Sequence, residues 1–156
     1  MMKKNFGLLL ALGMLLLLAG CGQKQQETVD LKAFYQQLEQ KYDLSGNEDI
    51  TKEMQENFYP GLSSYSFRQF VAKAPMISFQ VEEYVFAQCQ SEEDAAAVAQ
   101  ILQKRINDQA NGGAWYPESV ESWEKAKVLT HGEYVAMIAS ATAQAEIEQS
   151  FNELFA

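Results

Sequence analysis

The sequence predicts an α+β domain: a four-stranded antiparallel sheet made of two strand–strand–helix units with helices packed on it, preceded by two N-terminal helices. Two observations predict this. Extended, apolar stretches arrive in pairs, and each pair is followed by a helical pattern. The second pair also echoes the first, because Glu83-Tyr84-Val85 recurs fifty residues later as Glu133-Tyr134-Val135. Three shared residues say little about duplication, but the shared element order speaks for the architecture.

The first helix is opened by Asp30, a good N-cap residue, with Val29 placed to staple onto Phe34. Leu31, Phe34, Tyr35, Leu38 and Tyr42 then repeat at helical spacing. Ser45-Gly46-Asn47 breaks that helix, and Ile50, Met54 and Phe58 mark a second, short one that Pro60-Gly61 ends. From Phe67 to Ala74 the composition turns aromatic and β-branched, which predicts a strand up to Pro75. Tyr84 to Gln90 predicts its partner. Ser91-Glu92-Glu93-Asp94 approximates a capping box, and Ala95, Val98, Ala99, Leu102 and Ile106 trace one face of a long helix. Asn111-Gly112-Gly113 stops it. Ala114 to Trp123 reads as a loop or a short helix with Pro117 in its first turn. Lys127–His131 and Glu133–Ser140 flank a turn at His131-Gly132 and predict a hairpin. Its second strand is apolar on both sides and therefore belongs at the centre of the sheet. A last helix is expected from about Thr142 to Phe155, with Ile147, Phe151, Leu154 and Phe155 inward.

The N-terminus has a different character. Lys3 and Lys4 precede an apolar run from Phe6 to Leu18, which is shorter than the ~20 residues a spanning helix needs. This is the plan of a secretory signal. Leu18-Ala19-Gly20-Cys21 closes it and resembles the lipobox of bacterial lipoproteins. That resemblance implies a diacylglyceryl group on the Cys21 thiol and cleavage just before it. Residues 1–20 are then a discarded signal peptide, 21–28 a lipidated tether, and 29–156 a single α+β domain. Gly22 to Thr28 is polar and, fully extended, spans about 25 Å at ~3.5 Å per residue. The expected location is the extracytoplasmic face of the cell membrane, held by lipid.

Charge and cysteines narrow the function. The first twenty residues hold two of the 12 basic side chains and none of the 21 acidic ones, so the chain from Cys21 onward carries a formal charge of −11. Such a surface repels phosphate backbones and anionic headgroups, which speaks against nucleic acid as a partner. There are only two cysteines. With Cys21 lipidated, Cys89 has no partner for a disulfide within the chain. It follows Val85 and Ala87 at alternate positions and is expected to face the core as a small hydrophobe.

Four features along the chain carry a family resemblance: Val29-Asp30-Leu31 opening the first helix, Arg105 near the end of the long one, Tyr116-Pro117-Glu118 after it, and Gly132-Glu133-Tyr134-Val135 in the hairpin. With these in order, the chain from about Val29 onward resembles the small bacterial lipoproteins that carry the domain-of-unknown-function family numbered 4358. The resemblance implies a lipoprotein and an α+β fold. It supplies no activity and no catalytic residues.

Catalytic constellations are not legible. His131 is the only histidine and lies beside Gly132 in a turn, where solvation is expected. The motifs of a zinc site, a nucleophile elbow, a P-loop and a dinucleotide site are missing. Asp43, Ser45, Asn47 and Asp49 alternate like the start of a calcium loop, but the glycine is misplaced and Met54 stands where a bidentate Glu is required. Neither metal nor cofactor is expected. Arg105 sits among core-facing positions and wants an acidic or carbonyl partner; the structural reading is an ion pair that pins the 111–124 segment, and the functional one is anion capture. Trp115, Tyr116 and Trp123, with Arg105, form the expected binding surface. The expected role is non-catalytic binding of an envelope protein or small ligand. A small envelope hydrolase using Asp and Glu groups is the alternative, and a solute-binding lipoprotein is disfavoured by length.

Overall fold

The computed structural model describes residues 28–77 and 80–156. The expected signal segment, Cys21 and the expected tether up to Glu27 lie outside the described residues. Among the described residues, no helix is long and apolar enough to cross a membrane.

The elements run α1 (Leu31–Tyr42), β1 (Asn47–Asp49), α2 (Lys52–Phe58), β2 (Phe67–Pro75), β3 (Glu82–Cys89), α3 (Glu92–Asp108), α4 (Pro117–Lys125), β4 (Lys127–His131), β5 (Tyr134–Ser140) and α5 (Gln144–Glu153). The fold is α+β and the sheet is antiparallel throughout, in the order β1-β2-β3-β5-β4. It has five strands rather than the four expected. The fifth is β1, whose three polar residues pair with Lys73 to Pro75 at the sheet edge. A segment so short and polar offers no alternation to read. The first helix also ends earlier than Ser45, at Asp43, which adopts φ 52° and donates its N–H to the Glu39 carbonyl.

The two expected strand–strand–helix units are β2-β3-α3 and β4-β5-α5. β3 and β5 pair in the middle of the sheet, Tyr84 opposite Ile138 and Phe86 opposite Ala136. Because both strands are central and covered on both sides, nearly all their residues are buried.

Three layers result. On one face, Val85, Ala87, Cys89, Val135, Met137 and Ala139 meet Ala95, Val98, Leu102 and Ile106 of α3, together with Tyr59, Leu62 and Trp123. On the other, Tyr84, Phe86, Ala136 and Ile138 meet α1 through Leu31, Phe34 and Leu38, and α5 through Ile147 and Phe151. Phe86 anchors this second layer, edge-on to Phe34 at 5.2 Å and stacked on Phe151 at 5.9 Å between ring centres.

Side-chain caps fix the helix starts. Asp30 accepts from the Ala33 N–H, Thr51 from Met54 and Ser91 from Asp94. α5 has no such cap of its own; instead Ser140 Oγ accepts from the N–H groups of Thr142 and Ala143. The Glu82 carboxylate holds that corner from the neighbouring strand, accepting from Ser140 Oγ, Thr142 N and Thr142 Oγ1.

Candidate binding cavity

Inward positions of β3 alternate as Glu83, Val85, Ala87 and Cys89, so the strand that begins the sheet centre carries a carboxylate on the α3 side. Glu83 is 5% exposed. Its partner is Arg105, one turn from the end of α3. Nε donates to Oε1 at 3.0 Å and Nη2 to Oε2 at 2.7 Å, a bidentate fork. The Tyr59 hydroxyl donates to Oε1 at 2.8 Å. The guanidinium also makes two cation–π contacts: its centre lies 4.2 Å from the Phe58 ring and 5.3 Å from that of Trp123. Burial works against the Arg105 charge, but the hydrogen bonds and charge of Glu83 outweigh it and hold the guanidinium above its ordinary pKa. Burial, then the charge of Glu83, pushes the Tyr59 phenol well up.

The pair forms the floor of a cavity of about 630 Å³. α2 contributes Met54 and Phe58 to its walls, and the β2–β3 connection contributes Met76, Ile77 and Gln80. The α3–α4 connection contributes Gln109, Gly113, Ala114, Trp115 and Tyr116, and α4 adds Trp123. That last connection is shaped by glycine. Gly112 takes φ 123°, and a Cβ on Gly113 would stand 2.9 Å from the Asp108 carbonyl oxygen. The wide turn closes with the Ala114 N–H on the Gln109 carbonyl, and Trp115 emerges from it 89% exposed.

All four residues expected to form a binding surface line this one cavity, in different roles. Trp115 and Tyr116 stand at the rim. Trp123 is a buried wall, and Arg105 is the floor. The ion pair expected of Arg105 is present, with its partner in β3 rather than in the 111–124 segment; that segment is held through the stack on Trp123. Glu83, Tyr59, Met54, Phe58, Met76 and Ile77 were not expected from sequence as residues of a site. Glu83 alone left a signal there, an acid continuing the inward alternation of Val85, Ala87 and Cys89.

Other sequence candidates fall elsewhere. Cys89 is fully buried, and burial raises its thiol to about 11. His131 is half-buried rather than solvated: it stacks on Phe155 at 4.6 Å, and its Nε2 lies 2.8 Å from Asn152 Oδ1. Cys89 and His131 pack into opposite layers, so they form no nucleophile–base pair. In the 43–49 segment, Asn47 donates to the Glu82 carbonyl and Asp49 pairs with Lys73. Among the described residues, no cluster of three or more His, Cys, Asp or Glu side chains is placed to hold a metal ion.

The family described as a domain of unknown function (DUF4358) matches residues 40–140. The chain belongs to this family. The DUF4358 match spans all five strands and α2 to α4, and with them every residue that lines the cavity. No curated protein and no solved structure matches the chain.

Proposed function

We propose that this DUF4358 protein is a lipid-anchored envelope lipoprotein whose domain binds a partner or ligand, without catalysis, through the cavity above Arg105 and Glu83. One observation carries the binding proposal. The large hydrophobic side chains that stand exposed among the described residues are Met76, Ile77, Trp115 and Tyr116, and all four line that cavity. Apolar side chains scattered singly over a surface need no explanation; a cluster around a concave, largely apolar site is the signature of binding. The hydrolase alternative wants two carboxylates facing one cleft. Among the described residues, Glu83 is the only carboxylate lining this cavity, and both its oxygens are committed to Arg105.

The lipid anchor rests on Leu18-Ala19-Gly20-Cys21 behind the apolar run. Two measurements test the proposal. Cys21→Ser is expected to accumulate a precursor that keeps residues 1–20 and lacks lipid; wild-type mass and processing in that variant would end the anchoring claim. The uncharged dye N-phenyl-1-naphthylamine is expected to bind the protein and quench Trp115, and to lose binding when Ala114→Trp fills the cavity. Equal dye binding by the filled variant would remove the cavity as the site.

A further inference from the structure

We infer that the occupant of this cavity is a basic peptide segment of a partner protein, one that inserts an apolar side chain between Trp115 and Met76 and keeps Lys or Arg residues flanking it. This deepens the proposed function and rests on the cavity being the binding site.

The charge around the cavity selects the flanks. α2 and α4, which supply two of its walls, carry Glu53, Glu56, Glu118, Glu121 and Glu124 against Lys52 and Lys125. Lys125 is already paired with Glu121 at 2.6 Å. Near the end of α3, Lys104 is paired with Asp108 at 2.6 Å and Arg105 with Glu83. Among the described residues, Lys52 is thus the one basic group of α2, α4 and the end of α3 outside an ion pair, against Glu53, Glu56, Glu118 and Glu124 on the same elements, so the elements that build the cavity are net negative. The floor is different. Glu83 and Arg105 cancel, and the guanidinium is in cation–π contact with Phe58 and Trp123. An anion finds no uncompensated cation there, and a cation finds no free carboxylate. The inserted group is thus uncharged and apolar, while the charge complement lies outside the cavity. Methionine walls beside rigid aromatic ones adapt to an apolar side chain of variable shape.

Position within the domain bears on the choice between a peptide and a bilayer. The described chain begins at Thr28, and Gln69 holds Val29 and Leu31 at the Gln88 end of β3. The cavity opens at the Glu83 end, five residues or about 17 Å along the strand. The point where the described chain enters the domain and the cavity thus lie at opposite ends of β3. The net charge of the chain also disfavours anionic headgroups.

The test uses the full chain in phosphatidylcholine nanodiscs, probing an array of random dodecapeptides. Bound peptides are expected to be enriched in Lys or Arg beside Phe, Leu, Ile or Met. Trp115→Ala should weaken a selected peptide at least ~10-fold, as loss of a central aromatic anchor does. Changing the peptide's basic residues to Glu should do the same at low salt. Glu118→Lys with Glu124→Lys should shrink that second ratio to within ~3-fold. Enrichment of acidic or uncharged peptides, or binding no greater than that of Trp115→Ala, overturns the inference. So does quenching of Trp115 by brominated lipid in the disc, which would make the bilayer the occupant, or a Trp115-dependent dimer, which would make it a second copy. If the naphthylamine dye fills the cavity while the array fails, the basic partner is wrong and the site stands; if the dye fails, the site falls.

Discussion

Replacing Arg105 by methionine separates the buried ion pair from the packing around it. Methionine keeps an unbranched apolar stem to lie over Phe58 and Trp123, but it leaves the Glu83 carboxylate, 5% exposed, with the Tyr59 hydroxyl as its remaining side-chain donor. Removing one partner of a buried pair costs about 3–5 kcal/mol, because the other charge is left uncompensated. The Arg105 side chain is 14% exposed at the cavity floor, so some water can reach the site, and the lower end of that range, about 3 kcal/mol, is expected. Glu83→Met leaves a guanidinium closer to the opening and should cost about 2 kcal/mol. The double variant replaces both charges with apolar groups. It should lose about 2 kcal/mol in all, with Tyr59 deprived of its acceptor, rather than the roughly 5 that independent losses would give. The coupling is thus about 3 kcal/mol. Urea unfolding followed by Trp123 fluorescence measures it; at a slope near ~1.5 kcal/mol per M, the Arg105→Met midpoint should fall by about 2 M. Single losses that add to within about 0.5 kcal/mol in the double variant would refute the coupling, and with it the view of this pair as one buried unit.

Alkaline pH should weaken the fold before it affects anything else. Burial raises the Cys89 thiol from 9 to about 11 and the Tyr35 phenol from 10 to about 12, so these groups release protons more readily unfolded than folded; the Cys89 contribution is complete below about pH 9 and lost as pH rises through 11, and that of Tyr35 is complete below about pH 10 and lost through 12. Cys89→Ala should flatten the fall between pH 9 and 11 by about 2–3 kcal/mol in a urea series, and an unchanged slope would contradict the assignment. Glu82→Gln should cost about 2 kcal/mol and speed amide exchange at Thr142 and Ala143, since the carboxylate there accepts charge-assisted bonds from the start of α5. Gly112→Ala should cost about 1–2 kcal/mol through its φ of 123°, and should change Trp115 emission while leaving that of Trp123 unchanged; equal change at both would mean that the turn does not act locally.

Helices were legible in the sequence wherever an apolar stripe was long enough to show its period. Leu31 to Leu38 and Ala95 to Ile106 are such stripes, and both are buried as expected. β3 and β5 were legible because central strands are apolar on both sides. β1 was not, because its three polar residues are a strand only by virtue of β2 beside them. Arg105 was visible as a charge out of place on an apolar face, whereas its partner was not, since pairing α3 with the start of β3 is a property of the packed molecule. The cavity was the least visible feature. Met54, Met76 and Trp115 come from three connections and segments with no shared pattern, and only the tertiary fold brings them to one opening.

The layered sheet bears on where this protein can be cut. The family match ends at Ser140, the last residue of β5, and begins at Gln40, inside α1. A fragment trimmed to those limits would retain the entire cavity. It would also lose Phe34, Leu38, Ile147 and Phe151, stripping the cover from Tyr84, Phe86 and Ile138 on the opposite face. Such a fragment would be a sticky half-sandwich, ready to aggregate through its bared side. The family match is thus shorter than the stretch that encloses both core layers, and a fusion or an excised module should run from Thr28 through Ala156.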